Sequence, residues 1–458
     1  MYSLDDTIAA IATSIGQSGV GIIKISGPDA PAIAHKLFRS ARQKTRFEPY
    51  RLHYGSIIDP ATGETVDEAL VVHMPRPHSY TRQDVIEIQA HGGPMPLRRI
   101  LQLVLSLGAR PAEAGEMTLR AFLNGRLDLS QAEAVLDVIE AKTEAALRMA
   151  AEQLSGGLSA QVAAVRRQLM DQLAFLEASI DFVEDEIPFQ DIVTPLLEVG
   201  KMLQKLLKNA DMGQIYRQGV KAAIVGQPNV GKSSLLNALL RGDRAIVTEI
   251  PGTTRDTLEE TANIGGIPLV LVDTAGIRAQ AGDTVERIGI ERSQAALRQA
   301  DIALLVVDGS QRVSRGDWDI EQLVRGKPAL LVINKTDLLA DETIEPPPDF
   351  LPATPRVRIS ALAGIGIDGL EEAVEALVLG GSVTTADTPL MSNPRHKALI
   401  QSALNHTEAA IEGQQAGLTP DLVSIDVREA VESLGQITGE TVTEDLLDTI
   451  FSKFCIGK

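Results

Sequence analysis

The apolar positions of this chain change period along its length, and each change marks a different kind of structure. Residues 1–118 carry short β-rich runs at 19–25, 69–73 and 85–89, separated by turn residues, and one helical stretch near 97–107. Short apolar runs bounded by turns predict strands, so this segment reads as an α+β domain. From about residue 119 the period becomes helical. Val165, Leu169, Leu173, Leu176, Ile180 and Val183 recur at steps of three and four and draw one apolar stripe along a long helix. The acidic run Glu184-Asp185-Glu186 follows and reads as the solvated end of that helix rather than as a catalytic carboxylate cluster. Between 218 and 380, compact apolar runs at 220–225, 268–272, 329–333 and 357–359 have the length and flanks of buried strands. A second helical tract, 381–458, shows Leu404, Ile411, Val423, Val427, Val431 and Leu434. It cannot bury its stripe alone. The economical solution packs it on the helices of 119–217, so that 218–380 is an insertion into a helical bundle, rejoined through the loop at 380–389.

Composition narrows the picture. At 458 residues and 49.0 kDa the chain suits two to four domains, and 44% hydrophobic residues suit folded ones. A formal net charge of -18 argues against a general nucleic-acid coating protein, although RNA contact through local patches stays open. One such segment is basic throughout, with Lys36, Arg39, Arg42, Lys44 and Arg46, and is expected to be a solvated helix face, phosphate contact being the alternative. The single cysteine, Cys455, precludes an intramolecular disulfide and suits a reducing compartment. With Asp5 and Asp6 near its start and no apolar run of membrane-spanning length, the chain is expected to be cytoplasmic, with no membrane association. The ending Cys455-Ile456-Gly457-Lys458 resembles a prenylation box only superficially, because its final lysine and the lack of an upstream polybasic run disfavour it.

The decisive chemistry lies in 218–380. Gly226-Gln227-Pro228-Asn229-Val230-Gly231-Lys232-Ser233 fits the phosphate-loop pattern GxxxxGK[ST] between a strand-like and a helix-like run. There the glycines let backbone N–H groups curl around a β-phosphate, Lys232 reaches the β- and γ-oxygens and Ser233 ligates Mg²⁺. The nucleotide-binding set extends to Ser234. Asp273-Thr274-Ala275-Gly276 closes the 268–272 run, where a carboxylate can hold the Mg²⁺ shell and a mobile glycine can meet the γ-phosphate. Asn334-Lys335-Thr336-Asp337 selects the base: a buried Asp337 carboxylate can accept from guanine N1–H and its amine, which adenine lacks, a mismatch worth on the order of 10⁴ to 10⁵ in discrimination. Ser360-Ala361-Leu362 supplies backbone to close over the base. Four such pieces in order read as a GTPase. After the DTAG glycine stands Ile277, which cannot orient a water, so the nucleophile must be positioned by another group. Thr254, in the switch segment Gly252-Thr253-Thr254-Arg255-Asp256, can close on Mg²⁺ and the γ-phosphate, and Asn229 can hold a cation beside the phosphates or serve as a turn residue.

The motifs GQPNVGKSS, PGTTRD, DTAGIR, NKTD and the terminal FCIGK, with this order of segments, resemble the MnmE (TrmE) tRNA-modification GTPases over essentially the full length. The resemblance implies a homodimer that works with the flavoprotein MnmG, as a heterotetramer, to place an aminomethyl or carboxymethylaminomethyl group on the wobble uridine of certain tRNAs. It implies GTP and GDP, Mg²⁺, K⁺ and a tetrahydrofolate derivative, 5-formyl-tetrahydrofolate-like, as cofactors. The potassium ligands would be Asn229, Thr248, Ile250 and Thr253, within the nucleotide-contacting run Thr248-Glu249-Ile250-Pro251-Gly252-Thr253-Thr254, and the Mg²⁺ ligands Ser233 and Thr254. The family's water-activating carboxylate maps to Glu286 in Val285-Glu286-Arg287-Ile288-Gly289, with Glu291 the alternative because residues 279–283 lengthen the preceding loop. Lys24, Glu87, Arg126 and Lys458 match the folate site. Lys24 stands where arginine is common in the family and Arg126 where lysine is, and the two are not interchangeable as donors. Tyr80, Gln89 and His91 can line a pterin pocket or serve as surface turn residues. Cys455 is either a nucleophile in uridine chemistry or a small buried hydrophobe. The competing readings are a ribosome-assembly GTPase, expected to carry an RNA-binding module after its nucleotide domain, and a non-catalytic GTP-dependent scaffold.

Overall fold

The computed structural model describes residues 4–42, 46–181, 191–208, 210–241, 260–272, 286–338, 344–380 and 391–458. Its first layer is a seven-stranded sheet. Strands β1 (Ile8–Ile11), β2 (Gly21–Ser26), β3 (Phe38–Ser40), β4 (His53–Ile58), β5 (Thr65–Met74), β6 (Val85–Ala90) and β7 (Arg110–Pro111) lie in the order β3-β4-β5-β6-β2-β1-β7. Neighbouring pairs are antiparallel except β1 and β7. Helices α1 (Ala30–Leu37) and α2 (Pro94–Ser106) share a core with Ile23, Ile25, Ile86, Ile88 and Val71. The intervening positions of the central strands, Lys24 and Glu87 among them, belong to the other face, as the two-residue period requires. The basic segment is not the helix face expected for it. Lys36 ends α1, and Arg39 lies on the edge strand β3, because Phe38 and Ser40 pair with Ile57 and Gly55 of β4; Lys44 is outside the described residues.

Six helices follow: α3 (Glu116–Leu123), α4 (Leu129–Glu140), α5 (Glu144–Leu154), α6 (Gly157–Asp181), α7 (Val193–Lys208) and α8 (Ala210–Gln218). A capping box, in which Asp128 and Gln131 exchange backbone bonds, fixes the start of α4. Leu158, Val162, Val165, Leu169, Leu173 and Leu176 bury one stripe of α6. The residues after Asp181, with the acidic run, lie outside the described range. The chain ends in α13 (Pro394–Gln415), α14 (Pro420–Thr438) and α15 (Glu444–Phe451), counting the four helices introduced next. One core joins α6 and α7 to α13 and α14, so residues on both sides of the intervening sheet bury each other's stripes.

That intervening part is a second sheet of six strands: β8 (Val220–Val225), β9 (Glu260–Ile264), β10 (Ile267–Leu271), β11 (Ile302–Asp308), β12 (Ala329–Asn334) and β13 (Arg356–Arg358). Their order is β13-β12-β11-β8-β10-β9, parallel except for the β9–β10 hairpin. Helices α9 (Lys232–Arg241), α10 (Glu286–Gln299), α11 (Arg315–Val324) and α12 (Ile367–Leu379) accompany it. Separate apolar cores lie against its two faces. Strands covered on both faces are apolar nearly throughout, which is why β11 and β12 read as Ala, Val, Ile and Leu runs until they end in Asp308 and Asn334. In such a sheet ligands bind beyond the carboxyl ends of the strands, where the phosphate loop and the Asn334 and Ser360 loops emerge.

Candidate functional site: a nucleotide site and an N-terminal cation–aromatic cluster

Strand β8 runs into Gly226, whose φ is +154° and where a Cβ would lie 2.3 Å from the Val306 carbonyl oxygen. A side chain there would push the loop off β11. Gly231 has φ +100°, and its Cβ would fall 2.1 Å from Nδ2 of Asn334. The two glycines are thus required by close approach, and the loop they allow feeds straight into the amino terminus of α9, where free N–H groups favour an anion. Asn229 adopts φ +64° at an exposed position, a left-handed conformation that asparagine tolerates.

Asn334 ties this loop to the base-side loops. Its amide donates to the Val230 carbonyl at 2.8 Å, its oxygen accepts from the Ala361 N–H at 3.0 Å, and it is 2% exposed. The residue after it, Lys335, has φ +66° and donates to Asp308 Oδ2 at 2.7 Å. Asp308 lies opposite Asn334 in the β11–β12 register. Burial works against its charge, yet the lysine and Ser310 outweigh this and hold its carboxyl below the usual carboxylate range. Asp337 is exposed rather than buried, and its Oδ1 accepts from the Ser360 hydroxyl at 2.5 Å. The expected discrimination therefore depends on the base itself covering the carboxylate. A Ser360–Ile365 bridge closes the loop that carries Leu362, which is 83% exposed.

Lys232 opens α9 with a buried side chain whose ammonium donates to the carbonyls of Gly226 at 2.9 Å and Gln227 at 2.7 Å. Burial pushes its pKa down to about 8. A polyanion in the loop would oppose that shift by restoring a charge partner. Thr248, Glu249, Ile250, Pro251, Gly252, Thr253, Thr254, Asp273, Thr274, Ala275 and Gly276 lie outside the described residues. Glu286 is the first residue of α10, and Glu291 follows in the same helix.

The second cluster is on the open face of the first sheet. Lys24 and Glu87 face each other across β2 and β6, with Nζ 3.7 Å from Oε1. Tyr80 sits between two cations, the Lys24 ammonium 5.8 Å and the Arg126 guanidinium 4.6 Å from its ring centre. Its hydroxyl is 3.0 Å from the Thr118 hydroxyl, and burial raises its pKa. The carboxyl end of the chain comes to the same place. Ile456 bridges Ala114, the Met117 N–H donates to the Lys458 carbonyl at 3.1 Å, and Gly457 has φ +92° with room for no Cβ beside the Ile11 carbonyl. Lys24, Glu87, Arg126 and the Lys458 backbone are therefore grouped around Tyr80 and Thr118. His91 is not part of the group's bonding: its ring pairs with Asp67 at 2.7 Å and is exposed. That hydrogen bond raises its pKa. Gln89 lies in register with Ile22 and Leu70. Cys455 is exposed, not a buried hydrophobe.

Comparison with known proteins decides the family. A family described as the MnmE helical domain matches residues 129–455, and one described as the GTP-binding protein TrmE N-terminus matches residues 7–126. The tRNA modification GTPase MnmE of Roseiflexus castenholzii is 49% identical over 465 residues, spanning 99% of each chain. That of Chloroflexus aurantiacus is 50% identical over 459 residues, spanning 99% of this chain and all of the relative. The chain belongs to the MnmE family.

Within this MnmE-family chain, sequence reasoning missed two things. Asp308 had a signal, an acid ending the apolar run of β11, but its partner Lys335 follows only from strand register. A buried group around Glu133, Asp137, Arg217, Arg395 and His396 had none, because isolated charges on helices look solvated in sequence.

Proposed function

We propose that this GTP hydrolase of tRNA modification is potassium-activated and uses hydrolysis to drive a conformational cycle during modification of the wobble uridine. Family membership supports the GTPase reading. The observation that most supports the nucleotide assignment is the Asn334 bracket, which joins the phosphate loop to the base-side loop through one buried side chain. Lys232 neutralises the β- and γ-phosphates, the backbone of 226–234 cradles them, and Asp337 accepts from the guanine edge. Ser360, Ala361 and Leu362 flank the base. Two nucleotide units meet when GTP is bound, and Glu286 orients the attacking water while Thr254 closes the switch.

The residues present suit the implied ions and cofactor. Ser233 and Thr254 would hold Mg²⁺. Asn229 with Thr248, Ile250 and Thr253 would hold K⁺, which supplies the positive charge that an arginine finger supplies elsewhere, worth roughly 10³ to 10⁵ in rate. The aromatic face of Tyr80, flanked by Lys24 and Arg126 with Glu87 beside it, suits a flat, hydrogen-bonding pterin with an anionic tail, and Lys458 adds a cation. A bound tetrahydrofolate would supply the one-carbon unit. The chain works as a cytoplasmic homodimer with the flavoprotein MnmG, as a heterotetramer, on tRNA.

The test is a pair of variants. Glu286→Ala is expected to collapse GTP hydrolysis while leaving GTP affinity intact, and normal turnover in that variant would move the role to Glu291 or elsewhere. Lys458→Ala is expected to abolish binding of 5-formyl-tetrahydrofolate with the hydrolysis rate unchanged; undiminished folate affinity would reject the N-terminal assignment.

A further inference from the structure

Both chain crossings between the helical layer and the second sheet pass one helix, α4, and each is held there by a carboxylate. Glu133 and Asp137 are four residues apart, one turn along the same face. The return crossing is held by Glu133. Its Oε1 accepts from Asn393 Nδ2 and Arg395 Nε, both at 3.0 Å, and its Oε2 from Arg395 Nη2 and His396 Nε2, both at 2.6 Å. The outgoing crossing is held by Asp137, whose Oδ1 is 2.6 Å from Arg217 Nη2. Arg217 is in the last turn of α8, two residues before Gly219, which turns with φ +73° against the Pro268 carbonyl and starts β8. The two crossings also touch each other: a Cβ on Gly213 would lie 2.1 Å from the Met391 carbonyl oxygen.

The two carboxylates are not equivalent. Glu133 has four directed donors from three residues. Asp137 has one short contact, to Arg217, and its Oδ2 has no donor among the described residues although the side chain is only 4% exposed. Beside it is a cavity of about 30 Å³ lined by Asp137, Glu140, Met149, Ala146, Arg217 and Ser392. A buried carboxylate left half-satisfied is costly and calls for a reason. Room for a water next to it provides a means to solvate the groups when they part. Across the cavity, Ala145 and Met149 of α5 lean on the core of the second sheet, and Gly266 of the β9–β10 turn comes within 3.1 Å of Ala145 at its Cβ position.

We propose that Asp137 and Arg217 are a positioning pair, a latch that parts and re-forms as the nucleotide unit changes its seat on the helical layer, while the Glu133 cluster remains the fixed hinge. The inference rests on the reading that hydrolysis drives a conformational cycle. Titration fits the division of labour. Burial, with Glu133 and Glu140 nearby, pushes the Asp137 carboxyl up to about 6 against the pull of Arg217. Glu133, despite its burial, is held down at about 2 by His396 and Arg395. His396 is fully buried, with its pKa lowered by that burial, and its Nδ1 has no partner among the described residues.

The distance test uses the full chain in a Cys455→Ser background, with nitroxide labels on the exposed Asp319→Cys and Glu412→Cys, one on each side of the latch, while hydrolysis and modification are measured on the unlabelled chain with Cys455 in place. In the GDP state the distance distribution of the otherwise native protein is expected to be narrow, and Asp137→Asn or Arg217→Gln to broaden it. GTP hydrolysis should stay within about twofold, while tRNA modification with the flavoprotein and folate falls about fivefold or more, a coupling loss that a merely structural residue would not separate. Arg217→Lys should restore part of the modification, and it takes the place of either variant that fails to fold. Unchanged distances with unchanged modification, or equal losses of hydrolysis and modification, would overturn the latch. If the native protein itself fails to modify tRNA, the tRNA reading falls and the distance measurement alone decides this inference.

Discussion

The nucleotide site and the N-terminal cluster are built in opposite ways. The described part of the first is mostly backbone: Gly226 and Gly231 allow close approach, and Asn334 bolts the Val230 carbonyl to the Ala361 N–H. Every piece comes from a loop at the same end of one sheet, so a few contiguous residues carry each function. The second is mostly side chain, gathered from positions 24, 80, 87 and 126 and completed by the chain's own carboxyl end. A backbone site tolerates almost no change at its glycines but has interchangeable surroundings. A side-chain site draws each group from a different segment and so depends on distant segments staying docked.

The sharpest break of that contrast is Gly231→Ala. A Cβ 2.1 Å from Asn334 Nδ2 on a backbone at φ +100° costs about 3 kcal/mol, so GDP affinity should fall roughly 100-fold by calorimetry, with folate binding untouched. Asn334→Ala should come next. It strands the buried Val230 carbonyl and Ala361 N–H, at about 1 to 3 kcal/mol each, seen as a lower Tm together with weaker GDP binding. In the other region, Gly457→Val should loosen the tail, because its Cβ would meet the Ile11 carbonyl at 2.7 Å; folate affinity should drop about tenfold while GTP hydrolysis is unchanged. A parallel loss of both activities would mean that the two regions are one cooperative site.

The smallest effect is a proton count. Lys232 has a pKa lowered to about 8 by burial, so in the free protein at pH 8.5 it is about three-quarters deprotonated. Phosphate favours the charged form, so nucleotide binding takes up that proton and affinity falls as pH rises through 8. Calorimetry in buffers of different ionisation enthalpy should find about three-quarters of a proton absorbed per GDP at pH 8.5. No uptake would mean that the ammonium stays on the Gly226 and Gln227 carbonyls.

What was legible in the sequence follows from the same contrast. Strands β8, β10, β12 and β13 and the loops after β8 and β12 were readable, because burial on both faces and phosphate-loop geometry constrain consecutive residues. The helical stripe of α6 was readable too, since one face must stay apolar over many turns. Lys24, Glu87, Arg126 and Lys458 came only through family resemblance; nothing local says that residue 458 returns to residue 117. Strand β3 was misread as helix because an edge strand this short has no room to show its period, and Arg39 there looks like any solvated charge. The Glu133 and Asp137 pair was invisible, since only packing reveals that those carboxylates are buried.

The central claim is that a cation bound beside the phosphates drives hydrolysis in this chain. It is tested most directly by the GTP hydrolysis rate of the purified protein in matched potassium and sodium buffers, with self-association followed in GDP and aluminium fluoride. A rate that depends strongly on potassium, accompanied by association of nucleotide units only in that salt, is the predicted result. Equal rates in the two salts would contradict the account and remove Asn229 from the cation site.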